Sequence, residues 1–354
     1  MESSCRSTPS AGGTAWIDRV EVSPALVARA IDGGLAATGK LPAPGETWAV
    51  KLNLTYPRYL PGVVNSPIFV EGLCRWAADR RVRLLLIEGD GGNGSYTAED
   101  TFAGNGVSAL ADRYGMRCVS VSRKPWHWRT TKVGGKSIRL PYSPFFQERP
   151  YDRLIVTPLF KNHVFTYVTL GMKNLWGCIP DAYRMYYHNI LDEGIVALVR
   201  ELQPEFSIFD GLVALRGRGP MDGKPVDMNA VMVADSVGAG EAAALSLMSV
   251  KIQKVRHLYL ARQEGLMPSP DQVRWLNDPA PFIRDDFLLD RSLLNYASIQ
   301  LARFPLLQRI IYHSPLSSII YALVNLIRRG SAQAQLANAR RTGRYHVVDI
   351  QDRS

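Results

Sequence analysis

The stretch LIVTPLFKNHVFTYVTLGMKNLWGCIPDAYRMYYH, residues 154–188, begins with a short apolar run that a proline interrupts. This pattern predicts a buried strand that runs into a loop. The predicted loop carries Lys161, Asn162 and His163. Loops at the carboxyl ends of strands are where open α/β sheets bind ligands. We therefore expect this strand to lead directly into a ligand site.

The remainder of the stretch adds a second group of polar side chains. Lys173 and Asn174 lie between two glycines, and His188 follows further along. Lys161 and Lys173 are the only charged residues from position 154 to position 180. Each side chain alone is also compatible with a solvated charge or a satisfied, partly buried ring. A charge in so apolar a segment needs a partner or a ligand, however, so we expect the two lysines to face a common cleft.

The whole chain alternates between strand-like and helix-like runs, which favours an α/β fold with a largely parallel sheet and flanking helices. Predicted helices span residues 24–38, 66–80 and 189–202, and predicted strands span 48–54, 82–87, 116–121, 206–215 and 230–234. Residues 138–150 contain three prolines, which predicts a crossing loop.

The sequence divides into four regions. Residues 1–15 are small and polar and predict a disordered tail without a secretory signal. Residues 16–285 form the predicted α/β domain, in one lobe or two. Residues 286–330 form a predicted carboxyl-terminal helical segment, and 331–354 a basic tail.

The carboxyl-terminal segment has two interpretations. Residues 293–327 are strongly apolar, but arginines and prolines interrupt them, so the run is marginal for a spanning helix of about 20 residues. Two short helices docked on the body are one interpretation. Peripheral membrane contact, with Arg328 and Arg329 at the polar edge, is the other.

Composition limits the class of protein. Hydrophobic residues make up 46% and charged residues 21% of the chain, as in soluble globular proteins. The four cysteines are far apart with no CxxC pair, so we expect no iron–sulphur cluster and a reducing, cytoplasmic location. The net charge is +10, and the last sixth of the chain carries eight arginines against two aspartates. This distribution argues against a nucleic-acid partner for the core.

Polar residues follow several predicted strands. Glu88 and Asp90 precede a glycine-rich turn, which could cradle an anion or could simply require positive φ. Asp210 lies inside an apolar strand, where it either caps the next turn or faces the site. Carboxylates at strand ends also suit a divalent metal, and His163 and His188 would suit a softer one.

Residues 48–247 resemble the family catalogued as domain of unknown function 362. The resemblance is carried by K-x-H at position 161, K-N-x-x-G at position 173 and the later His188, in that order. Further matching segments are KLNL at 51–54, EGDGGNG at 88–94, FDG at 209–211 and GRGPMDGKP at 217–225. The family is named for its unknown function, so the resemblance implies a shared fold more than a reaction.

The spacing of His163, Lys173 and His188 is also similar to that of nickel-pincer lactate racemases. That likeness implies proton or hydride chemistry for the first histidine, a tether for a pincer nucleotide at the lysine and nickel binding by the second histidine. The loop with Thr55 and Arg58 is similar too. No histidine lies at 89–94, where those enzymes place their second catalytic histidine, so the likeness supports a shared site location more than a shared reaction.

Together these observations favour an enzyme that acts on a small anionic organic substrate, carrying a carboxylate or a phosphate. Reaction type stays open between proton-transfer isomerisation and cofactor-assisted redox chemistry, and a non-catalytic metal- or cofactor-binding carrier is the alternative. The candidate catalytic residues are His163, Lys173 and His188. The candidate substrate-binding residues are Lys161, Asn174, Asn53, Arg58, Asp90 and Asp210. No cofactor is identified; any divalent metal is expected at His188, with a carboxylate from a strand end.

Overall fold

The computed structural model describes residues 12–92, 96–291, 299 and 304. Most of the predicted carboxyl-terminal helical segment and all of the basic tail therefore lie outside the described residues, as do residues 1–11. Two corrections fall inside them. The first strand begins at Thr14, within the region predicted to be a disordered tail, and residues 286–291 are not helical.

Ten strands form one sheet. They are β1 (Thr14–Arg19), β2 (Thr47–Lys51), β3 (Arg83–Glu88), β4 (Arg117–Ser120), β7 (Arg153–Val156), β8 (Leu159–His163), β9 (Tyr167–Thr169), β10 (Phe206–Arg216), β11 (Lys224–Ala234) and β12 (Arg274–Trp275). The order is β12-β1-β11-β10-β7-β2-β3-β4, with β8 beside β10 and β9 beside β8. The run from β10 to β4 is parallel throughout, whereas β11 is antiparallel to both of its neighbours. The predicted α/β fold with a largely parallel sheet is confirmed.

Helices cover both faces of the sheet. They are α1 (Pro24–Ala37), α2 (Pro67–Asp79), α3 (Ala98–Gly104), α4 (Val107–Tyr114), α5 (Pro144–Glu148), α6 (Gly171–Asn174), α7 (Leu191–Leu202), α8 (Val237–Leu247) and α9 (Arg256–Gln263). Alternate residues of one strand enter opposite cores: Ile155 packs with α1 and α2, whereas Leu154 and Val156 pack with α7 and α8. Because both faces are covered, the central strands read as continuous apolar runs.

The predicted loop after Pro158 is a strand. Strand β7 ends at Val156, because proline cannot donate a ladder hydrogen bond. The chain then resumes as β8, which pairs with β10 on one side and β9 on the other. The interruption was predicted in the right place, but Lys161 and His163 are held by a paired strand rather than a loop.

The predicted crossing loop at 138–150 is also wrong. Strands β5 (His127–Val133) and β6 (Lys136–Tyr142) form a separate antiparallel hairpin, and α5 follows. Ile138 and Leu140 alternate into the core. Pro144 occupies the first turn of α5, where no N–H is needed, so this proline marks a helix start rather than a loop.

Asp210 orients helix α2 rather than a ligand. Its buried carboxylate accepts hydrogen bonds from the backbone N–H of Ser66 at 2.7 Å, from Asn65 Nδ2 at 3.3 Å and from the N–H of Leu212 at 3.2 Å. Ser66 precedes the helix, as predicted, but its own side chain makes no capping bond. The Asp210 carboxylate of strand β10 instead accepts the backbone N–H at the start of the helix.

Replacing Asp210 with alanine should destabilise the fold by about 1–3 kcal/mol, because three buried donors lose their acceptor. The measurement is the urea unfolding midpoint. The matched control is Asp79→Ala, at an exposed carboxylate, which should change stability by less than about 0.5 kcal/mol. Equal midpoints for Asp210→Ala and the parent chain would remove this capping role.

Candidate cationic cavity

A cavity of about 140 Å³ opens where strands β2 and β3 end. Such an opening suits several waters or one small molecule, since a single water needs about 10–15 Å³. It is lined by Lys51, Asn53, Leu54, Thr55, Glu88, Gly89, Asp90, Gly91, Gly92, Tyr96, Lys161, His163, Thr169, Lys173, Asn174, Trp176, Gly177, Arg184 and Pro220. The carboxyl edge of a parallel sheet is the expected position for a ligand site.

Lys161 reaches the cavity from strand β8 and is fully buried. Its Nζ donates to Asn53 Oδ1 and to the carbonyl of Val63, each at 2.8 Å. Burial lowers the pKa of Lys161 to about 7, helped by the nearby charges of Lys173 and Lys51. A neutral amine has two N–H donors, and both have acceptors here, so its lone pair is left to take a proton.

Lys173 lies in the short helix α6 and faces the same cavity. Its side chain makes no hydrogen bond or ion pair with any residue in the described ranges. Burial lowers the pKa of Lys173 to about 8; the positive charges of Arg184 and Lys51 act in the same direction, and Asp192 acts against them. The structure therefore brings the two predicted lysines together, one held by acceptors and one without a partner.

A buried ion pair joins the ends of β2 and β3. Lys51 Nζ lies 2.8 Å from Glu88 Oε1, and the same oxygen accepts the N–H of Leu54 at 2.8 Å. Asn174 donates to the Lys51 carbonyl at 3.2 Å. Gly177 packs directly on this pair, since a Cβ there would lie 3.0 Å from Lys51 Cε. Sequence analysis did not select Lys51, although a lysine inside an apolar strand is the signal that identified Lys161.

His163 is not the titrating acid or base that the sequence predicted. Its Nδ1 accepts the backbone N–H of Phe165 at 3.1 Å, so the proton of the neutral ring lies on Nε2. Burial, and then the charges of Lys173 and Lys161, hold the pKa of His163 well below its usual range. The ring is therefore neutral at pH 7 and acts as a hydrogen-bond donor through Nε2.

His188 lies behind the cavity rather than in its lining. Its ring packs edge-on against Phe165 and Trp176, and its Nδ1 donates to the carbonyl of Arg184 at 3.0 Å. Burial, and then the charge of Lys173, lowers the pKa of His188 to about 3. Within residues 12–92 and 96–291, no group of three or more His, Cys, Asp or Glu side chains is placed to hold a metal ion. The described residues therefore do not form the metal site predicted at His188.

The remaining predicted residues divide between the cavity and other places. Asn53, Asn174 and Asp90 line the cavity. Asp90 Oδ1 also accepts the N–H of Ala98 at 3.0 Å, at the start of α3. Arg58 is exposed and outside the lining, so it does not hold the ligand with the lysines as predicted.

Arg184 is a cavity residue that the sequence did not reveal. Its guanidinium donates to the carbonyls of Ile179, at 3.1 Å, and of Asp90, which ties it to the turn after β3. Burial lowers the pKa of Arg184. The segment around it reads as an aromatic run in the sequence, so only the fold identifies this arginine.

Three buried polar atoms of the lining have no hydrogen-bond partner within the described chain. They are Asn53 Nδ2, Thr169 Oγ1 and Trp176 Nε1, on residues with 1%, 4% and 5% exposure. Buried polar groups are nearly always satisfied in native proteins, so these three atoms mark positions in lining residues where the described chain supplies no partner. Lys173 likewise has no hydrogen-bond or ion-pair partner among the described residues.

The fold and the cavity define an α/β protein with helices on both faces of its sheet and a cationic cavity at the carboxyl edge of that sheet. The chain belongs to the family described as "Domain of unknown function (DUF362)", which matches residues 49–246, more than half of the chain. It is also 26% identical over 151 residues to the thylakoid-associated protein sll1697 of Synechocystis sp., a match that covers 40% of this chain and 47% of that protein. The chain thus spans about half the length of this relative.

No solved structure matches the chain. None of these comparisons shows the distant likeness to nickel-pincer lactate racemases.

The buried amine of Lys161 should make stability rise with pH. In the unfolded chain the amine stays protonated to about pH 10.4, whereas in the folded chain its pKa is about 7. The unfolded state therefore binds more protons between these values, and the free energy of unfolding increases with pH from about 7 to 9. Urea midpoints at both pH values should show a smaller rise in Lys161→Met than in the parent.

Lys251→Met, at an exposed lysine, is the control and should keep the parental rise. An identical pH response in Lys161→Met and in the parent would mean that this amine does not titrate in the folded chain as described.

Proposed function

We propose that the chain is an enzyme that binds a small organic anion in the cavity and transfers a proton on it. The observation that carries the proposal is the Lys173 amine, which lines the cavity and has no hydrogen-bond or ion-pair partner among the described residues. A carboxylate or phosphate oxygen would accept a hydrogen bond from this amine and offset its charge.

The charge balance of the cavity supports an anionic ligand. Lys51, Lys161, Lys173 and Arg184 contribute up to four positive charges, and Glu88 and Asp90 contribute two negative ones. The Lys51–Glu88 pair is internally neutral, so the excess lies on the other cations. A bound anion would be attracted by the positive charge of Arg184 and by Lys173 in its protonated form.

Proton transfer is assigned to Lys161. Its pKa of about 7 suits a general base near neutral pH. When the amine is neutral, acceptors engage both of its N–H groups, so the lone pair is the part that can take a proton. His163 would donate its Nε2–H to a substrate oxygen on which negative charge develops, as a neutral electrophile.

The test separates binding from proton transfer. The probes are inorganic phosphate, lactate and pyruvate; affinity is measured by calorimetry, and exchange of carbon-bound hydrogen by proton NMR in heavy water. We expect Lys173→Met to weaken probe binding about tenfold or more, since a lost charged hydrogen bond costs about 1.5–3 kcal/mol. Lys161→Met should bind the probe but lose exchange.

Lys251→Met should behave as the parent in both assays. Binding without exchange by the parent chain would favour the carrier alternative, and binding of none of the probes would overturn the proposal.

A second proposal concerns location: the β5–β6 hairpin contacts an anionic membrane surface. Residues 122–150 carry seven lysines and arginines against one glutamate. Trp128 is 49% exposed, and the guanidinium of Arg139 lies 4.8 Å from its ring. Exposed tryptophan beside arginine and lysine suits the headgroup region of a bilayer. The printed name of the cyanobacterial relative, thylakoid-associated, agrees with this proposal.

The described part of the chain has no helix of the length and apolarity needed to cross a membrane. The contact that we propose for the hairpin is one with the membrane surface. The predicted contact through residues 293–327 lies almost wholly outside the described residues.

Vesicle sedimentation tests this contact. The protein should bind vesicles of phosphatidylcholine mixed with phosphatidylglycerol, and not phosphatidylcholine alone. Trp128→Ser and Arg139→Glu should each reduce binding several-fold, because about 1 kcal/mol is expected per basic residue at such a surface. The charge-matched control, Arg29→Glu on the exposed face of α1, should bind as the parent does. If Arg139→Glu and Arg29→Glu lost vesicle binding equally, the effect would come from net charge alone and the proposed hairpin contact would be wrong.

A further inference from the structure

The three lysines of the cavity differ in what their amines contact. Lys51 is engaged by Glu88 at 2.8 Å and by the carbonyl of Leu52 at 2.5 Å. Lys161 is engaged by two acceptors at 2.8 Å. Lys173 contacts no acceptor among the described residues, although its side chain lines the cavity. Its nitrogen is therefore the one amine of the three that is left open to react.

The surroundings keep this amine partly unprotonated. The cations around it are Arg184, Lys51 and Lys161, and the opposing charges are Glu88, Asp90 and Asp192, of which Glu88 is paired with Lys51. Burial and then the charge of Arg184 lower the pKa of Lys173 to about 8, which increases the share of free amine near neutral pH. A desolvated lysine near other cations is a recognised way to activate an amine nucleophile.

We propose that Lys173 condenses with the carbonyl group of a small 2-oxo acid to form a Schiff base in the cavity. This inference rests on the proposed function and names its substrate class. The Nε2–H of His163, whose ring lines the cavity, is the donor for the carboxylate or the carbonyl oxygen.

The step is balanced without an oxidant or a reductant. The amine lone pair forms a C–N bond to the carbonyl carbon, and the C=O π electrons move to oxygen, which takes a proton from the Lys161 ammonium. The added nitrogen returns one proton to Lys161. The hydroxyl then leaves as water with that proton, and the nitrogen lone pair closes the C=N bond. The net change is an amine, a carbonyl and one proton from Lys161 to a protonated imine and one water, with Lys161 left as the neutral amine.

An imine in this position explains why a second amine lies in the same cavity. A protonated imine withdraws electrons from the adjacent C–H bond and so makes that hydrogen removable. The neutral form of Lys161 can then accept it. The two lysines, which differ in their contacts, thus have different roles in the proposed step: Lys173 forms the C–N bond and Lys161 transfers the proton.

The experiment is reductive trapping of the full chain. The protein is incubated with pyruvate and sodium cyanoborohydride and is then analysed by intact mass and peptide mapping. We expect one adduct, heavier than the parent by pyruvic acid less one oxygen atom, on the peptide that contains Lys173. Lys173→Arg keeps the charge but cannot form an imine, so it should show no adduct. Lys251→Met should label as the parent does.

The outcomes separate the two proposals. If the parent binds pyruvate by calorimetry but gives no adduct, the Schiff base is overturned and the anion-binding proposal stands. If the adduct is spread over exposed lysines, the Schiff base is also overturned. If the parent binds neither pyruvate, lactate nor phosphate and gives no adduct, both proposals fail. Peptide mapping of the labelled parent chain shows whether the adduct is on Lys173, even if Lys173→Arg does not fold.

Discussion

The ion pair between Lys51 and Glu88 is the contact on which the cavity depends. It joins the last residues of the adjacent strands β2 and β3, and the same carboxylate oxygen holds the chain as it leaves β2. A buried pair is costly to desolvate, and losing one partner costs about 3–5 kcal/mol. Both members carry further polar contacts, which makes their burial tolerable. The pair thereby fixes the point where the backbone departs from the sheet and leaves room for a ligand.

Partners, rather than residue type, give the buried cations of this site their different properties. Lys51 has a carboxylate, Lys161 has two neutral oxygens and Lys173 has neither. Burial disfavours the charged form of an amine, and a carboxylate in contact opposes that effect. The same side chain therefore forms an ion pair at one position, and at the two others it is the group for which we propose proton transfer and imine formation.

Much of the fold could be predicted from the sequence, because apolar runs and helix starts are local signals. The central strands, helices α1, α2 and α7, and the break at Pro158 followed from such patterns. Lys161 and Lys173 were found for the same reason, since a charge in an apolar segment is visible without coordinates. Arg58 and Asp210 were misassigned because a strand end does not reveal which side chains turn inward. The pairing of β8 with β9 was not predictable, since a three-residue strand has no periodicity of its own.

The role of His163 shows the limit of residue chemistry taken alone. Histidine in water titrates near neutral pH, which made it the natural acid or base. One backbone N–H at Nδ1 and a cationic neighbourhood reverse that expectation. Burial lowers the pKa of Lys161 to about 7, so a lysine, which does not titrate near neutrality in water, is the residue for which we propose proton transfer. Neither effect is encoded in the spacing of the motif.

Strand β8 gives the two walls of the cavity unequal freedom of movement. It is hydrogen-bonded on both sides, to β10 and to β9, so Lys161 and His163 cannot shift without opening two ladders at once. The facing wall includes the glycine turn at residues 89–92, which lies beyond the end of β3, and the Arg184 side chain, which donates to the Asp90 carbonyl. Amide hydrogens of β8 should therefore exchange with solvent more slowly than those of the turn.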